Sequence, residues 1–259
     1  MIDSKRLKEI SRLSGMRPWQ QEKNYLQSLI LTIVSDYPLV FKGGTYLWLF
    51  HGLNRFSEDL DFTAKGTLKK DFPQYISRSL GLYGYENETK IVKDNELGIS
   101  VRFMINGPLH TSDRDRCVIY VEVSGREKVV LPNIPLKIDF PQYDIPVKNL
   151  SGMNLDEVGG EKVRAILTRE KGRDIFDLYY LINRKNIKLD IELVNRKLAY
   201  YDLSFDSSQF MQRVDSRKKL YFRELKPIIF GELPDFDEVR SCIKSWISSE
   251  DQKGSNTDH

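Results

Sequence analysis

Arg55-Phe56-Ser57-Glu58-Asp59-Leu60-Asp61-Phe62 reads as an extended segment in which two aspartates flank one leucine. Side chains alternate across a strand, so Asp59 and Asp61 are expected on one face while Leu60 and Phe62 face a core. Two converging hard-oxygen donors suit Mg2+, with Mn2+ as its substitute. Upstream, Pro38-Leu39-Val40-Phe41 has the texture of a short buried strand. It runs into Lys42-Gly43-Gly44-Thr45, after which a helical stretch extends to about Phe50. Glycines at such a turn let backbone N–H groups approach an anion at the positive end of the helix. Lys42, Gly43, Gly44 and Thr45 are therefore phosphate-binding candidates, Thr45 through its hydroxyl, and Ser57 is a candidate nucleotide contact.

Around this centre, 259 residues with 40% hydrophobic content are enough to bury a core as one large domain or two lobes. Forty basic side chains against 37 acidic ones leave a net charge of +3, so no overall field points to a polyanionic partner. Cys117 and Cys242 lie far apart without Cys/His spacing, which excludes a zinc framework or disulfide scaffold and fits a reduced, cytoplasmic compartment. No apolar run approaches the ~18 residues of a membrane span, so no membrane partner is expected.

Periodicity predicts one amphipathic helix from about Lys5 to Ser35, and another from Leu68 to Leu82 interrupted near Pro73. Strands are expected over Thr89–Val92, Ile99–Ile105, Cys117–Val123 and Leu136–Phe140. From Asp156 the texture turns helical, with Ser207–Ile229 reading as one long helix. The expected architecture is α/β, with a mixed-sheet core lobe over residues 1–150 and a helical C-terminal lobe over 151–259, divided near Ser151-Gly152.

Asp139 sits between apolar neighbours in Leu136-Lys137-Ile138-Asp139-Phe140, where an unpaired carboxylate is costly to bury. If its strand lies beside Asp59-Leu60-Asp61, it completes a metal-binding triad and acts as general base; the alternative is an ion pair with Lys137. Lys162 and Arg169, seven apart, fall almost above one another on a helix and could face a triphosphate together, unless they belong to an ordinary charged face. Asp174 stands at a helix junction, able to cap a helix or orient a cation, and Asp177 is secondary to it. The cations Arg213, Arg217, Lys218, Lys219, Arg223 and Lys226 form either a phosphate-binding surface or a solvated face. His51 and His110 have no companions at triad spacing.

Phe41-Lys42-Gly43-Gly44-Thr45 together with Arg55 to Phe62 resembles the AbiEii/AbiGii nucleotidyltransferase toxins, MenT-like enzymes of the DNA polymerase beta-like superfamily. Glu161-Lys162-Val163-Arg164-Ala165-Ile166-Leu167-Thr168-Arg169-Glu170-Lys171-Gly172-Arg173-Asp174-Ile175-Phe176-Asp177-Leu178 looks like the second conserved block of that family. The resemblance spans roughly Pro38 to Leu181. It implies a polymerase beta-like core and a Mg2+-dependent transfer of nucleoside monophosphate from a nucleoside triphosphate, with the tRNA 3' end as acceptor class. It further implies the toxin half of a type IV toxin-antitoxin or phage abortive-infection system, with a cognate antitoxin as partner. The family's metal-binding acidic pair falls on Asp59 and Asp61, its functional lysine on Lys162 and its downstream aspartate on Asp174; Asp139 is placed as the third carboxylate of the superfamily. Two other readings stay open: a nucleotidyltransferase acting on a protein or small molecule, and a non-catalytic nucleotide-sensing module.

Overall fold

The structure, a computed structural model, describes residues 2–188 and 190–254. The chain divides into two compact units. The first holds 2–50, Ser57–Val129 and Asn133–Gly152; the second holds His51–Phe56, Val130–Pro132 and the described residues from Met153 onward.

Two helices open the first unit, α1 (Ser4–Ser14) and α2 (Pro18–Val34), where periodicity predicts one. The break is chemical. Gly15 adopts a left-handed φ of 69° that ends α1, and Pro18, lacking an N–H, starts α2 at its first turn. Strand β1 (Leu39–Lys42) leads through Gly43 into α3 (Gly43–His51). Then come β2 (Leu60–Ala64), α4 (Phe72–Leu82), β3 (Asn87–Asn95), β4 (Gly98–Ile105), β5 (Cys117–Ser124), β6 (Ile134–Ile138) and β7 (Lys148–Gly152). All seven strands form one mixed sheet in the order β3-β4-β5-β2-β1-β7-β6.

Register explains the burial pattern. On β5, Ile119, Val121 and Val123 are buried while Tyr120 and Glu122 are not, and on β4 Val101, Phe103 and Ile105 alternate with Ser100, Arg102 and Met104. The buried face continues through Leu60, Phe62 and Phe41, and Phe41 meets Phe62, Tyr46 and Phe50 ring to ring. Helix α2 packs against β5, β6 and α4. Nearly its whole surface is buried, so its polar residues find partners: Gln21 and Asn24 both donate to the Tyr143 hydroxyl.

The second unit is helical: α5 (Leu155–Thr168), α6 (Gly172–Lys185), α7 (Ile191–Leu198), α8 (Ser207–Asp215), α9 (Lys218–Leu225) and α10 (Phe236–Gly254). Helix α6 is central, touching α5, α9 and α10. Gly172 makes the α6–α9 approach possible, because a Cβ there would lie 2.4 Å from the Tyr221 backbone nitrogen. The single helix expected over Ser207–Ile229 is two, broken at Arg217. That side chain is 2% exposed, and its guanidinium donates to the Arg213 and Arg169 carbonyls. Two short linker segments also belong here. Arg55 bridges to Ile229, and the buried Glu157 carboxylate accepts from the Val130 and Leu131 amides and pairs with Lys197 at 2.5 Å.

Candidate active site

Lys42 and Asp61 are register partners across the antiparallel β1–β2 pair, so Gly43 follows directly beside the Asp61 carboxylate. Gly43 holds φ +80°, and a Cβ there would lie 2.3 Å from Asp61 Oδ2. Only glycine fits at this position, for its left-handed backbone and for the carboxylate that occupies the side-chain space. The turn and the aspartate therefore form one structure: the carboxylate rests against the N-terminus of α3, where peptide dipoles favour negative charge.

Asp59 lies just ahead of β2, half-buried, and its carbonyl accepts the Thr45 hydroxyl at 2.5 Å. Thr45 is fully buried. Its hydroxyl, expected on phosphate, is instead committed to the backbone of Asp59. Ser57 is 8% exposed, and its carbonyl accepts from the Gln27 amide at 3.2 Å. Glu58 pairs with Lys23 at 2.5 Å. Lys42 is 8% exposed.

Asp139 does not join this pair. Its strand, β6, is the far edge of the sheet, separated from β2 by β7 and β1. Asp139 follows the end of β6, exposed, and its carboxylate takes the Lys137 ammonium at 2.6 Å. The ion-pair alternative is the one the fold realises. The expectation failed because apolar neighbours mark a strand without saying which strand it pairs with. The neighbour of β2 is β5, and in that parallel ladder Asp61 pairs with Glu122. Sequence reasoning missed Glu122, although the alternation Val121-Glu122-Val123 marked it as a carboxylate on the face opposite the core.

Among the described residues no group of three or more His, Cys, Asp or Glu side chains is placed to hold a metal ion. Two carboxylates do fit a cation that arrives with substrate, since Mg2+ is commonly held by one or two carboxylates while phosphates and water complete its octahedron. Asp59 and Asp61 would hold it, and the glycine turn lies against Asp61.

The second unit carries its own charged cluster, built on α5 and α6. Asp174 and Asp177, three apart on α6, are fully buried. Lys162 is 6% exposed and reaches both, at 3.0 Å to Asp174 and 2.6 Å to Asp177. Arg169 grips Asp174 through Nε and Nη2, each at 2.8 Å, and Arg55 grips Asp177 through Nε and Nη2, each at 2.6 Å. Burial pushes both carboxyls up, but the Lys162 and Arg169 charges at Asp174, and the Arg55 and Lys162 charges at Asp177, outweigh it and hold both below the ordinary carboxylate range. Lys162 and Arg169 do converge, but on Asp174. Nor does Asp174 cap α6, whose first amides, Gly172 and Arg173, donate to Glu224. Asp177 is a full member of the cluster, and Arg55 was unforeseen because its partner lies 122 residues away in sequence.

Of the six cations over 213–226, Arg217 is buried and Lys218 pairs with Asp237 at 2.9 Å. Lys219 and Arg223 on α9, and Lys226 just past its end, are exposed.

The AbiEii family, described as nucleotidyl transferase AbiEii toxin of type IV toxin-antitoxin systems, matches residues 25–242. The chain belongs to this family. Both the Asp59/Asp61 site and the Lys162 cluster fall within the matched span, and the family is one of nucleotidyltransferase toxins. Solved structures share the fold. JHP933 from Helicobacter pylori aligns at TM-score 0.61 and 19% identity, covering 92% of this chain and 95% of its own. MenT4, a nucleotidyltransferase toxin from Mycobacterium tuberculosis H37Rv, aligns at TM-score 0.66 and 18% identity, covering 93% of this chain and 88% of its own. None of the curated proteins matches the chain. The α/β mixed sheet followed by helices is thus the nucleotidyltransferase-toxin architecture. Among the described residues no helix is long and apolar enough to cross a membrane.

Proposed function

We propose that this AbiEii-family nucleotidyltransferase moves a nucleoside monophosphate from a nucleoside triphosphate to the 3' hydroxyl of tRNA. It acts in the cytoplasm as the toxin of a type IV toxin-antitoxin or abortive-infection pair whose antitoxin restrains it. The observation that carries the reading is the Asp61 carboxylate lodged against Gly43, which joins an acidic pair to an amide-lined turn. Mg2+, when bound with substrate, supplies charge neutralisation on the phosphates. Asp59 and Asp61 hold the cation, and the Gly43-Gly44 amides with Lys42 and Ser57 bind the triphosphate. The acceptor hydroxyl oxygen forms a bond to the α-phosphorus as the bond to the bridging β-phosphate oxygen breaks, and pyrophosphate leaves. Glu122, the register neighbour of Asp61, takes the hydroxyl proton. Within the helical unit, Lys162 and Arg169 bind Asp174 while Lys162 and Arg55 bind Asp177, a role in holding that unit together, with the half-exposed Arg169 its most accessible cation. The exposed cations Lys219, Arg223 and Lys226 support an RNA acceptor.

The test supplies all four α-labelled nucleoside triphosphates together with total RNA, total protein and small metabolites. Label in RNA, removed by treatment that trims 3' ends, is the expected outcome. Label confined to protein or to small molecules contradicts the tRNA assignment, and label in no fraction contradicts the transfer.

A further inference from the structure

Ser57-Glu58-Asp59 lies outside the sheet, since ladder pairing on β2 begins at Leu60. Without ladder hydrogen bonds, three consecutive residues need other anchors, and each has one from a different side chain of the same unit. The Gln27 amide donates to the Ser57 carbonyl at 3.2 Å, Lys23 pairs with Glu58 at 2.5 Å, and the Thr45 hydroxyl donates to the Asp59 carbonyl at 2.5 Å. Lys23 and Gln27 are one helical turn apart on α2, so a single face of that helix grips adjacent residues of the strip. Gln27 is fully buried and the Lys23 side chain is 12% exposed, so both arms emerge from the packed core instead of reaching across solvent.

We infer that Lys23 is a positioning residue of the Asp59/Asp61 site: through Glu58 it fixes the backbone that aims the Asp59 carboxylate at the cation. The inference rests on the function proposed above. Asp61 is held by the β1–β2–β5 ladders and Gly43, and Asp59, which lies ahead of those ladders, takes its backbone position in part from this clamp. A site of two carboxylates tolerates displacements of only about 0.5 Å, and removal of such supporting partners lowers metal affinity about 10- to 100-fold.

The sign of the effect separates positioning from charge. Lys23 is a cation near a cation site, so by Coulomb's law alone its neutralisation tightens metal binding. Loss of positioning weakens it. Mn2+ binding to the full chain in the presence of a non-hydrolysable nucleoside triphosphate, followed by electron paramagnetic resonance, reads this directly. Lys23→Met is expected to raise the Mn2+ dissociation constant about tenfold, and Lys23→Arg to stay near wild type. The Mg2+ concentration for half-maximal transfer rises in step, while the rate at saturating Mg2+ recovers. Should Lys23→Met fail to fold, Lys23→Gln removes the same positive charge and shortens the arm to Glu58, and is expected to weaken Mn2+ binding likewise. A folded Lys23→Met or Lys23→Gln protein that binds Mn2+ as tightly as wild type, or more tightly, overturns the positioning role alone. A wild-type protein that takes up no Mn2+ overturns the metal centre itself, and the proposed function with it.

Discussion

At the scale of single residues, the site depends on where four carboxylates stand. Asp61 lies against the Gly43 turn and Asp59 just ahead of the same strand, so Asp61→Asn is expected to cut transfer by roughly 100- to 1,000-fold, as befits loss of several kcal/mol of charge stabilisation. Thermal stability should be nearly unchanged. Glu122→Gln is expected to lower kcat by about 100-fold with nucleotide affinity retained, the signature of a lost proton acceptor. Asp139→Asn should leave transfer unaltered, because its partner is Lys137 at the far edge of the sheet. Parallel assays on the three variants check all of this, and an inactive Asp139→Asn protein would restore the discarded triad. The glycine turn and the alternation of Asp61 with Leu60 and Phe62 were legible from spacing alone, since both are local properties, whereas Asp59 lies ahead of the strand expected to hold it. The neighbouring strand was not, because pairing between β2 and β5 is fixed by topology and leaves no mark in the residues of either.

Elements show the same division between local and distant causes. The turn into α3 was readable because glycine pairs announce backbone freedom, and the structure adds the reason: a Cβ at Gly43 meets the Asp61 carboxylate. Gly43→Ala combines a left-handed strain of about 1–2 kcal/mol with that collision. The expected result is a lowered thermal midpoint together with loss of nucleotide binding, and normal binding by calorimetry would contradict the close packing. Two helical breaks escaped the periodicity: Gly15 and Pro18 sit in a pattern otherwise continuous, and Arg217 ends α8 through a contact with the Arg169 carbonyl, 48 residues away. Strand β7, Lys148-Asn149-Leu150-Ser151-Gly152, has a polar sequence and exists because β6 and β1 flank it.

Across the whole molecule, the two units place their charges differently: the sheet holds its carboxylates at the surface, whereas the helical unit buries Asp174 and Asp177 among Lys162, Arg55 and Arg169. Breaking one member of such a set leaves an uncompensated buried charge, so Lys162→Met is expected to cost about 3–5 kcal/mol of stability in denaturant unfolding. An unfolding midpoint equal to wild type would show that the cluster is hydrated. Because both carboxyls are held below their ordinary value of 3.8, they remain ionised as pH falls past it. Their contribution to stability is therefore full at neutral pH, declines once pH falls below the ordinary value at which the unfolded carboxyls protonate, and is gone below the lowered folded values. Carbon-13 resonances of the two carboxyls that titrate at or above 3.8 would contradict this. Fold class, helical texture and the second block were all legible beforehand, but the Arg55–Asp177 pair was not, its partners being joined only by tertiary structure. Every functional role proposed for the molecule depends on phosphoryl transfer at Asp59 and Asp61. The most direct measurement is release of pyrophosphate from nucleoside triphosphates with total RNA present, with and without Mg2+, by wild type and by the Asp59→Asn/Asp61→Asn double variant. Release by wild type that needs the cation and vanishes in the folded variant is the result predicted here; release that persists in the variant, or without any divalent cation, contradicts it.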